Sequence, residues 1–428
     1  MEDNKEKKEK KIPTPEDIQN DFEEFFKDKY GESVKLVATQ MNPSIKDIKK
    51  DEDEEEEHGP VEIKFDFLPK DIKAHLDRYV IKQDEAKKAL SIAVCDHYNH
   101  VKDCLAGEVS ENDLNYSKQN VLMLGPTGVG KTYLIRHVAK FIGVPFVKAD
   151  ATRFSETGYV GGNVEDMIRD LVTQAKGNYD LAKYGIVYID EIDKLATPEN
   201  IVGRDVTGRG VQMGLLKLME ETDVDLRAVH DMASQLQAFM EFQKTGKIEK
   251  KNINTRHILF IVSGAFNNVN EIIQRRLHKR KIGIQANGDK YQDNEDWLQH
   301  VISKDLIKFG LEPEFVGRLP VRVSCTNLSV DDLYNILKTS EGSLIRQYEQ
   351  AFKSYGIEVT FTDEALRLIA EQAAVEKTGA RALMIICERI LRDYKFELPS
   401  SAVKKFEVTK RVIENPKKEL DKLTVINL

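Results

Sequence analysis

Residues 120–142 read NVLMLGPTGVGKTYLIRHVAKFI, and few chain geometries accommodate them. An apolar run, Val121 to Leu124, meets a glycine-rich turn and then a segment whose apolar residues recur at helical spacing. A run without polar residues demands burial on both faces, as in a parallel strand covered by helices. Glycine lets the backbone turn its N–H groups towards a common point. A following helix adds the positive end of its dipole there. Gly125-Pro126-Thr127-Gly128-Val129-Gly130-Lys131-Thr132 fits G-x-x-x-x-G-K-[ST] in the strand, loop and helix setting that the pattern needs. It predicts a cradle for the phosphates of ATP, with Lys131 reaching the β- and γ-phosphates and Thr132 holding Mg2+. Tyr133, next in the helix, joins the expected nucleotide-binding set.

Similar short apolar runs occur in PFVKAD, GIVYIDE and HILFIVSG, with helical patterns between them. That alternation predicts an α/β fold with three layers around a parallel sheet. IVYIDEID places carboxylates at the end of a buried strand, where open α/β sheets bind ligands. Asp190 is expected to hold Mg2+, and Glu191 to activate the attacking water as general base. Asp193 is open between an ion-pair partner and a catalytic group. Arg318, in EPEFVGRLP, and Arg381, in KTGARAL, are arginines that spacing alone does not promote beyond surface ion pairs.

With 428 residues the chain has room for two or three domains. Residues 1–60 read as a charged extension, with a possible small module at 14–45 and an acidic linker of seven consecutive acids, Asp51 to Glu57. Residues 61–320 carry the alternating pattern of a large domain. A smaller, mostly helical domain is expected over 321–428, its first long segment, residues 330–356, ended by Gly356. The net charge of −8 argues against a general nucleic-acid or membrane binder. No run approaches the ~18 apolar residues of a membrane span. The first residues lack the apolar stretch of a secretory signal, so a cytoplasmic protein is expected. Cys95, Cys104, Cys325 and Cys387 are scattered without a C-x2-C pair. They read as buried thiols, and neither zinc nor a disulfide framework is expected.

Together these blocks resemble the ClpX family of AAA+ protein unfoldases. The resemblance covers roughly residues 66–400 and includes LPKDIKAHLDRYVIKQDEAKKAL, GPTGVGKT, ADATRFSETGYVGGNVED, GIVYIDEIDKL, RDVTGRGVQMGLLKLME, DLIKFGLEPEFVGRLP and KTGARAL. It implies an AAA+ P-loop NTPase fold, a homohexamer with ATP between subunits, and ATP hydrolysis coupled to protein unfolding. Val80 and Ile81 then correspond to the adenine pocket, Arg318 to an arginine finger acting across the subunit boundary, and Arg381 to the sensor-2 arginine. Ser263 and Asn267 are both candidates for sensor 1. Tyr159 and Val160, flanked by Gly158 and Gly161, correspond to a pore loop that grips an unfolded or tagged polypeptide. An aromatic ring and a branched chain gain contact area with almost any side chain, so such a grip is indifferent to sequence. Arg204 corresponds to the second pore loop. The resemblance also implies delivery to a ClpP-type peptidase and no peptidase activity in the chain itself.

The sequence departs from the family at several points. The cysteine-rich N-terminal zinc domain is missing, which marks a divergent member. Ile282-Gly283-Ile284 stands where the family carries an aliphatic-Gly-Phe protease-docking tripeptide, and is open between an anchor and an ordinary loop. The family's Arg-Lys-His entrance loop is not recognisable. Lys82 replaces a glycine beside the adenine pocket, and Arg209 replaces an acid. The alternative reading is a nucleotide-switched remodeller or adaptor that acts without a protease; ATP turnover unaffected by unfolded protein would favour it.

Overall fold

The computed structural model describes residues 65–110, 116–155, 162–197, 206–226, 252–281 and 297–425. The readings of residues 1–60, of Tyr159, Val160 and Arg204, and of Ile282, Gly283 and Ile284 lie outside them.

In chain order the strands are β1 (Val121–Leu124), β2 (Phe146–Asp150), β3 (Ile186–Asp190), β4 (Asp223–Asp225), β5 (Asn252–Asn254), β6 (Leu259–Gly264), β7 (Val321–Ser324), β8 (Glu358–Phe361) and β9 (Lys405–Val408). Five of them form one sheet in the order β2-β3-β6-β1-β7, and every pairing in it is parallel. The four apolar runs read from the sequence are four of these strands. The fifth, β7, forms an edge, so the sheet continues past residue 320.

Alternate residues of each strand leave on opposite faces. Leu122, Leu124, Val187, Ile189, Phe260 and Val262 enter one core, with the helices Asp166–Gln174 and Val206–Glu220. Val121, Met123, Ile186, Tyr188, Leu259 and Ile261 enter the other, under Asp84–Leu105 and Lys131–Ile142. Both faces are dry, which explains why the strands read as unbroken apolar runs. A third core gathers residues from Leu333 onward, mainly from the helices Val330–Lys338, Leu344–Lys353, Asp363–Val375 and Arg381–Glu397. The parallel pair β8–β9 packs with it.

One expected element divides. The pattern over 330–356 contains two helices, Val330–Lys338 and Leu344–Lys353, and Gly356 lies beyond the second. Thr339-Ser340-Glu341-Gly342-Ser343 breaks it, because Ser343 caps the second helix through a bond from the Ile345 amide. Ser340 instead donates to the Tyr79 carbonyl (2.7 Å).

The four cysteines are buried, and none forms a disulfide. Among the described residues no helix is long and apolar enough to cross a membrane, and no cluster of three metal-ligating side chains occurs.

Candidate nucleotide site

The C-terminal ends of β3 and β6 and the N-terminus of Lys131–Ile142 open into a cleft of about 530 Å3, a size that suits a nucleotide. Val80, Ile81, Thr127 to Tyr133, Asp190, Glu191 and Arg381, from distant parts of the sequence, line it.

The glycine loop has little freedom to be anything else. Gly128 and Gly130 have φ of +77° and +99°, a region costly for residues with a Cβ. A Cβ on Gly128 would stand 2.1 Å from the Thr378 carbonyl oxygen. Lys131 is only 8% exposed, and its ammonium donates to the carbonyls of Gly125 and Pro126 (2.8 Å to the latter). Burial pulls its pKa below the ordinary lysine value, so the site presents a cation held at a cost and ready for an anionic partner.

Asp190 sits at the centre of a short network. Its Oδ1 accepts from the Ser263 hydroxyl (2.6 Å) and the Glu191 amide (3.1 Å), and its Oδ2 from the Thr132 hydroxyl (3.2 Å). Lys148 Nζ lies 3.3 Å from Oδ2. Tyr188 adds its hydroxyl between Ser263 Oγ (2.7 Å) and Thr132 Oγ1 (3.1 Å). Burial raises the Asp190 carboxyl, but the Ser263 bond, Lys148 and the Glu191 amide outweigh it, and the pKa falls below the usual carboxylate value. Asp190 is therefore an anion at neutral pH. Ser263 is thus buried against Asp190, while Asn267 lies exposed on the cleft lining.

Glu191 follows with φ +58° and ψ +32°, a left-handed conformation that turns the chain sharply at the strand end. Its side chain is exposed in the cleft. Asp193, by contrast, accepts from the backbone amides of Ala265 (3.2 Å) and Phe266 (3.4 Å), and Lys194 is 3.9 Å away. Those bonds tie β3 to the turn after β6, which is a positioning role.

The opposite wall comes from the C-terminal helices. Arg381 is the first residue of Arg381–Glu397, and the Ala380 amide donates to the Gly128 carbonyl (2.9 Å). Val80 and Ile81 are followed by two residues in the left-handed region, Lys82 (φ +61°) and Gln83 (φ +63°). Glycine suits such a position, and lysine there is strained. Its ammonium spans to the Asn327 carbonyl (2.8 Å) and Asp332 Oδ2 (3.0 Å). Gln83 clasps the backbone of Thr326 with both ends of its amide, each at 2.8 Å.

Arg318 does not line the cleft. It is half exposed and donates to Glu220 Oε1 (2.6 Å). Arg209 pairs with Glu312 through two bonds, which explains how a cation is accommodated there.

Sequence reasoning missed Tyr79, Ser340 and Gly342, all on the cleft. Tyr79 stacks on His137 (4.0 Å), Tyr133 meets the same ring edge-on (4.4 Å), and a Cβ on Gly342 would lie 2.0 Å from the Tyr133 hydroxyl. The polar Ser-Glu-Gly-Ser break inside a helical pattern was the available signal.

These residues fit a nucleoside triphosphate and a divalent cation. The Thr132 hydroxyl and Asp190 carboxylate are adjacent hard oxygen donors at a helix N-terminus, beside a buried ammonium. Fold and site together define an AAA-type P-loop ATPase. The family model for the AAA domain (Cdc48 subfamily) matches residues 116–322, and that for the C-terminal, D2-small domain of ClpB protein matches 328–410. Two curated relatives are each the "ATP-dependent Clp protease ATP-binding subunit ClpX", from Borrelia duttonii (strain Ly) and Borrelia recurrentis (strain A1). Each is 43% identical over 350 residues, covering 81% of this chain and 78% of the relative. The chain belongs to the ClpX family.

Proposed function

We propose that this chain is an ATP-dependent protein unfoldase and translocase of the cytoplasm, working as a homohexamer that feeds a ClpP-type peptidase and having no peptidase activity of its own. The observation that carries the reading is the convergence of Lys131, Thr132, Asp190 and Glu191 on one cleft whose far wall, with Arg381, belongs to the C-terminal helices. The two parts of the chain that flank this cleft are the large and small domains of the motor. The adaptor alternative is not favoured, since the relatives are subunits of a protease.

Lys131 and the loop amides bind the phosphates. Thr132 and Asp190 would hold Mg2+, which when bound would neutralise charge on the phosphate oxygens. Glu191 takes the proton of the attacking water. Arg381 reads the bound nucleotide from the small domain. Arg318 serves a neighbouring subunit, and its exposed pair with Glu220 is weak enough for a phosphate anion to displace. Tyr159, Val160 and Arg204 contact the threaded client, and Ile282-Gly283-Ile284 docks the peptidase; these roles rest on family correspondence.

The test is ATP turnover with and without an unfolded protein, then degradation of a tagged client with the ClpP-type peptidase added. Stimulation and degradation are expected. Replacing Glu191 by Gln is expected to slow turnover by about 10²-fold or more while nucleotide still binds. Turnover indifferent to clients, with clients neither unfolded nor cut, would overturn the reading.

A further inference from the structure

Lys148 lies on β2, an edge strand with a simple alternation. Val147 and Ala149 are buried in one core, while Lys148 leaves on the opposite face. The pairing sets Lys148 beside Tyr188, and Asp150 beside Asp190. Instead of extending into solvent, the Lys148 side chain follows the strand end to Asp190 Oδ2. Of the four groups that meet the Asp190 oxygens, three are hydroxyls or an amide fixed by the sheet, the loop and the helix. The fourth is a full positive charge on a flexible stem, 38% exposed against 17% for the carboxylate.

We propose that Lys148 is a positioning residue that serves as the built-in counter-ion of Asp190 and competes with the divalent cation for it, so that it sets the Mg2+ dependence of nucleotide binding. The inference rests on the reading of Asp190 as the Mg2+ side of the site. A dication beside Asp190 repels an ammonium a few ångströms away, and the partial exposure of Lys148 gives it a route into water. Without the dication, the same ammonium remains and offsets part of the phosphate charge. Lys148 therefore favours bare nucleotide and opposes the nucleotide–metal complex.

The experiment measures Kd for a fluorescent ADP analogue in EDTA and in saturating Mg2+, for the wild type, Lys148→Met and Lys148→Arg. ADP removes hydrolysis from the readout. For Lys148→Met, binding in EDTA is expected to weaken and binding in Mg2+ to tighten. The ratio of the two constants then rises by about two- to fivefold, the size of a partly exposed ion pair, and half-saturating Mg2+ falls. Lys148→Arg keeps the charge and is expected to keep the wild-type ratio. An unchanged ratio in Lys148→Met overturns the inference, as does an equal shift in both variants, which would indicate packing rather than charge. A Lys148→Met variant that binds the analogue equally in EDTA and Mg2+ overturns the reading of Asp190 itself.

Discussion

On the strand side of the cleft, Lys131 is 8% exposed, Asp190 is tied to Ser263, and the glycine loop is held against β7 so closely that a Cβ on Gly125 would meet the Cys325 carbonyl at 2.5 Å. On the helical side, a backbone bond from Ala380 to Gly128 and the bond from buried Ser340 to Tyr79 are joined by exposed or half-exposed ion pairs. Arg78 forks onto both oxygens of Glu341 (2.7 and 2.9 Å), and Lys82 reaches Asp332. The first wall is sheet and helix terminus with both faces of the sheet buried. The second gathers a separate core, joined to the first by that backbone seam and by exposed ion pairs that water can also satisfy. A rigid half can keep the phosphates in register, and exposed ion pairs cost little to exchange for water. That division suits a machine that must convert hydrolysis into domain movement.

Three substitutions probe this contrast, beginning with the largest effect. Lys131→Ala removes the buried cation from the rigid wall. Nucleotide affinity is expected to fall by about two orders of magnitude, roughly 3 kcal/mol, as for other buried charge pairs that lose one partner. Isothermal titration checks it, and a loss below tenfold would mean that the loop amides alone carry the binding.

Gly128→Ala acts at the seam between the walls. The left-handed φ costs about 1 kcal/mol, and the collision with the Thr378 carbonyl adds about 1–3 kcal/mol because backbone must move. Gly107→Ala supplies the control, since Gly107 has a similar φ of +73° with nothing within 4 Å of the added atom. Thermal melting of both variants separates conformational strain from collision. Equal losses would show that the seam yields freely.

The smallest effect is expected from Lys82→Gly on the strapped wall. Relief of left-handed strain, about 1 kcal/mol, offsets loss of a partly exposed ion pair worth about 0.2–1 kcal/mol. The melting temperature should therefore change by less than about 4 °C. Hydrogen exchange at residues 326–332 should quicken, because one of the straps is gone. A large drop in melting temperature with unchanged exchange would reverse the picture and make Lys82 a structural pillar.

Much of the rigid wall was legible in the sequence. An apolar run, three glycines and Lys-Thr have few alternative uses, and the carboxylates of IVYIDEID fall at a strand end whatever the surrounding fold. The rest of the cleft was less legible. Tyr79 looks like any aromatic on an amphipathic helix, and Ser340 to Gly342 interrupt a pattern that otherwise reads as one helix. Ser263 and Asn267 stand as equal candidates in the sequence; only the folded sheet shows that Ser263 lies 2.6 Å from Asp190 while Asn267 lines the cleft.

Local order and periodicity therefore determined the parallel α/β core, the phosphate loop and the acidic strand end, because each depends on the backbone geometry and burial of neighbouring residues. Tertiary structure alone decided that Asp193 braces the turn after β6, that Lys82 crosses to Asp332, that Arg209 meets Glu312 and that Lys148 faces Asp190. Each joins a charged side chain to a group far away in the chain, a backbone amide for Asp193 and another charged side chain for the rest. Such partners are chosen by where the folded backbone ends up, and no periodicity or spacing in the sequence encodes that position.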